Sequence, residues 1–186
     1  MLPALRRAKN QPKVPMFRNP RKLARLPFAS IPAAFAVCAV LSLFTQDAQA
    51  QLVERKALTL EAARKIVRAA EAEAARNNWP SVIAVVDEGG WPILIERMDN
   101  AALLAGVELA PGKARTAALF KRPSQALEDA INKGRTAAVT ARGFIEMKGA
   151  LPIVVDGQVV GAVGVSGETP DHDVQIAQAG LAALKE

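Results

Sequence analysis

The chain has 186 residues and a formal charge of +6, with one histidine, one cysteine and no tyrosine. The positive charge belongs to the first 50 residues, which hold eight of the 24 Lys and Arg and one of the 18 acids. The remainder therefore carries 16 bases and 17 acids, a net charge of −1, and loses the single cysteine, Cys38. That balance, with Trp79, Trp91, Phe120 and Phe144 as the remaining aromatics, gives neither the basic surface nor the stacking platforms of a nucleic-acid binder. Without cysteine, thiol catalysis and Cys-ligated zinc are excluded as well.

Residues 1–25 contain Arg6, Arg7, Lys9, Lys13, Arg18, Arg21, Lys22 and Arg25 and no acid. An uncharged, mostly apolar run, Leu26–Phe44, follows, and then Ala48-Gln49-Ala50. A basic region, an apolar core and a small-x-small site in that order predict a secretory signal peptide over 1–50. The expected mature domain is 51–186, periplasmic or secreted, with no stable membrane span after cleavage. An uncleaved anchor is the alternative, because the apolar run approaches the length of a span.

Thr59 opens the first expected helix as its N-cap, and Leu60, Ala63, Val67, Ala70 and Ala74 recur at helical spacing. The helix is expected to stop near Asn77-Asn78, before Pro80. Two strands, Ser81–Asp87 and Trp91–Met98, surround Glu88-Gly89-Gly90 and read as a hairpin. Asp87 and Glu88 are read as turn residues rather than as a catalytic carboxylate pair. Asp99 to Gly112 reads as a connector broken by Pro111-Gly112. A helix over Lys113–Phe120 comes next, with Lys113 and Arg115 in its first turn, where the helix dipole does not favour cations. Ser124 is expected to cap a short helix, Gln125–Asn132.

The second hairpin is the clearest signal in the chain. Leu151–Val155 and Val159–Val165 flank Asp156-Gly157, a pair suited to a primed turn. Alternation puts Val159, Gly161, Val163 and Val165 on one face and Val160, Ala162, Gly164 and Ser166 on the other. Neither face is polar, so both must be covered. The last helix runs from Pro170 to about Leu184, capped by Thr169, with Val174, Ala177, Leu181 and Leu184 as its buried stripe. Two hairpins between helices predict an α/β layered domain with a central antiparallel sheet.

Several segments together resemble the GlcG/HbpS-like haem-binding domain family, which also occurs as the C-terminal domain of some cobalamin adenosyltransferases. They are L-T-L-E-A-A (58–63), V-V-D-E-G-G (85–90), K-A-R-T-A-A (113–118), R-P-S (122–124), the run 149–167 and P-x-x-D (170–173). The resemblance implies a profilin-like α/β domain assembled into homo-oligomers. It implies haem as the cofactor of some members and haem breakdown by a few. Haem requires an axial ligand, an apolar slot and cations for its propionates. His172, the sole imidazole, is the candidate metal ligand, with Met98 and Met147 as thioether alternatives. Lys113 and Arg115 are the candidate propionate partners. A module that binds another small molecule, or an accessory or sensor subunit, is the alternative reading.

Overall fold

The computed structural model describes residues 53–184; the expected leader lies outside the described residues. The elements in chain order are α1 (Leu60–Asn77), β1 (Val82–Asp87), β2 (Pro92–Arg97), α2 (Gly106–Phe120), α3 (Gln125–Asn132), a 3-10 turn (Thr136–Thr140), β3 (Ala150–Val155), β4 (Gln158–Ser166) and α4 (Pro170–Ala182). One four-stranded sheet has the order β2-β1-β4-β3, and every neighbouring pair is antiparallel. The expected α/β, profilin-like layered architecture is therefore the observed one.

Helices cover both sheet faces. On one, Ala63, Ile66, Val67 and Ala70 of α1 and Ile176 and Ala177 of α4 bury Ile83, Val85, Ile153, Val163 and Val165. On the other, Ala110, Ala114, Ala117 and Ala118 of α2 pack on Val82, Ala84, Val86, Ala150 and Ala162. An all-alanine helix face can lie low on the sheet, provided that the strand beneath it is small too. Gly164 meets that condition: a Cβ there would stand 2.2 Å from the Ala110 carbonyl oxygen and 2.8 Å from the Ala114 nitrogen.

The local signals explain most boundaries. The Thr59 hydroxyl accepts from Ala62 N at 3.1 Å, and Asn78, at φ 59°, closes α1. Asp156 and Gly157, at φ 48° and 75°, make the turn that joins β3 to β4. The Asp87 carboxylate accepts from Trp91 N at 2.8 Å, which is turn chemistry.

Several expectations are corrected. The connector and the helix after it are one helix: α2 starts at Gly106 and runs through Pro111. Pro111 removes the bond its nitrogen would make to the Val107 carbonyl and crowds that carbonyl, yet the helix continues through it, packed on the sheet by Ala110 and Ala114. Lys113 and Arg115 are consequently mid-helix, not in a first turn. Ser124 does stand at the N-cap of α3, but its side chain makes no capping bond; it is buried and its hydroxyl accepts from Ala150 N at 3.0 Å, tying the helix start to β3. The β4 alternation slips at its first residues. Ile153 pairs with Gly161 but Val154 with Val159, so Val160 is the extra residue of a bulge and joins the face of Val163. Finally, the α4 stripe is rotated toward Ile176, Ala177 and Gly180, and Leu60 at the start of α1 is 45% exposed.

Candidate functional site

The first turn of α4 is the chemically densest part of the fold. Thr169 caps it, its hydroxyl accepting from His172 N at 3.3 Å. Asp173 lies one residue further and is buried. Its Oδ2 accepts from the Lys113 ammonium at 2.9 Å and its Oδ1 from Gly167 N at 2.7 Å. Lys113 Nζ also donates to the Val165 carbonyl at 3.2 Å. The two side chains are 3% and 4% exposed. Gly149 makes room for the pair: a Cβ there would stand 3.0 Å from Lys113 Nζ. Burial pushes the Asp173 carboxyl above its ordinary value, and the Lys113 charge and hydrogen bond offset part of that rise.

His172 stacks flat on Trp79, ring centroids 3.6 Å apart and planes 8° from parallel. Its Nδ1 is buried and has no hydrogen-bond partner. Stacking, not a hydrogen bond, therefore fixes the ring. Beside it, Asp171 pairs with Lys148, whose hydrogen bond lowers the Asp171 carboxyl and is in turn the main cause raising the Lys148 ammonium.

Of the other sequence candidates, Lys113 bonds to this turn through Asp173. Lys113 faces inward, and a propionate would reach it only by breaking the pair with Asp173. Arg115 is half-buried, donates to the Gly89 carbonyl at 3.3 Å, and lies 5.3 Å from the Trp91 ring centroid and 5.8 Å from that of Phe144. Met98 packs against the main core, as methionine commonly does. Met147 is 46% exposed. Four clefts in the described residues are lined by none of these four side chains, nor by His172.

Sequence reasoning missed Trp79, Asp173 as a buried partner, and Lys148. Lys113 and Asp173 each lie in a segment that carries the family resemblance, K-A-R-T-A-A and P-x-x-D, yet 60 residues separate them and no local pattern joins them.

Haem asks for a ring-nitrogen ligand, flat apolar surface and cations. His172 offers a ring nitrogen, Nδ1, that no protein group satisfies, and Lys148, paired with the neighbouring Asp171, offers a half-buried ammonium. The donor types match the group, but the Trp79 face is covered by the His172 ring and none of the four clefts is lined by either residue. Among the described residues no cluster of three or more His, Cys, Asp or Glu stands ready to cage a bare metal ion, and no helix is long and apolar enough to cross a membrane.

Comparison with known proteins extends this reading. Protein GlcG of Escherichia coli K12 is 46% identical over 109 residues, which are 59% of this chain and 81% of that protein. An HbpS double mutant from Streptomyces reticuli superposes with a TM-score of 0.67 at 33% identity, covering 72% of this chain and 90% of the other. The PduOC:heme complex superposes with a TM-score of 0.63 at 31% identity, covering 69% and 95%. The family model for the haem degrading protein HbpS-like group matches residues 58–182, nearly the whole described domain, and the chain belongs to that family.

Proposed function

We propose that this chain is an exported haem-binding protein that sequesters, carries or slowly degrades haem, with His172 holding the iron. Family membership supports the ligand, as does a relative of the same fold solved with heme. Within the chain itself, the observation that carries the reading is the sole imidazole, stacked on Trp79 with an unpartnered Nδ1. Trp79 holds the ring in place and shields one of its faces from water. The basic, apolar and A-x-A leader supports export. Bound haem supplies a redox-active iron centre.

Each residue then has a physical task. The buried Asp173–Lys113 pair ties α4 to α2 and holds the turn that carries His172. Lys148, released from the exposed Asp171 carboxylate, can meet a propionate instead.

Titrating haemin into the purified mature protein tests this. A saturable shift of the Soret band at micromolar haemin is expected, and His172→Ala should weaken binding about tenfold or more, the scale on which metal-site side chains act. No saturable spectral change would overturn haem binding. An unaltered titration in His172→Ala would leave haem bound by another ligand.

A further inference from the structure

α3 and the 3-10 turn after it form a layer in which no residue is fully buried. The layer is nevertheless two-faced. Leu127 and Ala130 of α3, Ala138 of the turn, Ala141 just beyond it and Phe120 at the end of α2 line a cleft of about 270 Å³. Arg122, Arg135 and Glu146 complete it. A greasy floor under two guanidiniums and one carboxylate leaves one positive charge in excess. Arg122 Nε donates to the Phe120 carbonyl at 3.2 Å, so its remaining N–H groups are not consumed by that bond. Neither arginine forms an ion pair among the described residues.

We propose that this cleft binds the carboxylate end of an apolar molecule. Guanidinium is permanently charged and its forked donors match a carboxylate in two-point contact. The alanine, leucine and phenylalanine floor takes the carbon body out of water. The volume falls just under the roughly 300–1,000 Å³ of pockets for drug-sized ligands, so the part enclosed is small. Two sources share this chemistry: a free short-chain acid that fills the cleft, or the propionate edge of a larger molecule such as haem laid over it. The second source rests on the function proposed above; the first does not.

Calorimetry with two matched pairs of probes separates them. Hexanoate is compared with hexanamide, and haemin with its dimethyl ester, each against the natural protein and the Arg122→Gln/Arg135→Gln variant. Both arginines are exposed, so the variant should keep its fold, and the uncharged probes report on the natural protein without any substitution. In the arm that matches the source, removing the carboxylate charge or the two guanidiniums should weaken binding about tenfold, the size of a lost charged hydrogen bond. Discrimination for hexanoate assigns a free acid; discrimination for haemin alone assigns the propionate edge. Hexanoate discrimination without any haemin binding would overturn the haem reading and leave the cleft standing. Failure of both arms to discriminate, including failure to bind, overturns the cleft.

Discussion

At Asp173 burial and charge oppose each other, and burial prevails. Loss of water favours the neutral acid, while the Lys113 charge and the hydrogen bonds from Lys113 and Gly167 favour the anion. The net result is a midpoint above 3.8. A carboxyl raised on folding binds its proton more tightly in the native state than in the unfolded chain. Its ionisation therefore costs stability, a cost that builds as pH climbs from about 3.8 to the raised midpoint and stays constant above it. Carbon-13 NMR of the Asp173 carboxyl should show that elevated midpoint, and Lys113→Met should move it higher still. A midpoint at or below the ordinary aspartate value would mean that the Lys113 charge and the hydrogen bonds outweigh burial.

Among the elements, α2 shows best how composition becomes geometry. Its alanines allow a close approach, and Gly164 of β4 is where that approach is tightest. Gly164→Ala would place a methyl 2.2 Å from a carbonyl oxygen that cannot swing aside, because it belongs to the helix backbone. The helix must lift, and chemical denaturation should report a loss of about 1–3 kcal/mol, the usual range for overpacking. An unchanged denaturation midpoint would mean that α2 is free to shift at no cost. The existence of α2 was half legible. Helical spacing from Lys113 to Phe120 was readable, whereas Pro111-Gly112 imitates a stop signal that only the tertiary contact overrules. Both hairpins were legible because glycine-containing turns and alternating valines are local signals. The bulge at Val160 was not, since the pairing of Ile153 with Gly161 decides it. Ser124 looked like a cap because its sequence position is right; burial against Ala150 redirects its hydroxyl. Of the site, His172 at a capped first turn was readable from Thr169-Pro170. Its stack on Trp79 and the inward turn of Lys113 depend on residues distant in sequence.

For the molecule as a whole, Lys113 and Asp173 connect layers on opposite faces of the sheet. Lys113 rises from α2 on one face and Asp173 descends from α4 on the other; they meet at the C-terminal end of β4, at the Val165 carbonyl and the Gly167 nitrogen. The apolar clusters hold each helix to its own sheet face, but neither cluster spans both. The pair therefore fixes the approach of one layer to the other, and with it the first turn of α4 that carries His172. Buried pairs of this kind are more costly to halve than to remove, because a lone buried charge has nothing to offset its lost hydration. Lys113→Met and Asp173→Asn should each cost about 3–5 kcal/mol in urea unfolding, whereas the double variant Lys113→Met/Asp173→Leu should recover most of that loss. A recovered double variant whose haemin titration is weakened would show that the pair orients α4 rather than merely stabilising the fold. Single variants that each cost under about 1 kcal/mol would place the pair among hydrated surface ion pairs and remove its role in joining the layers.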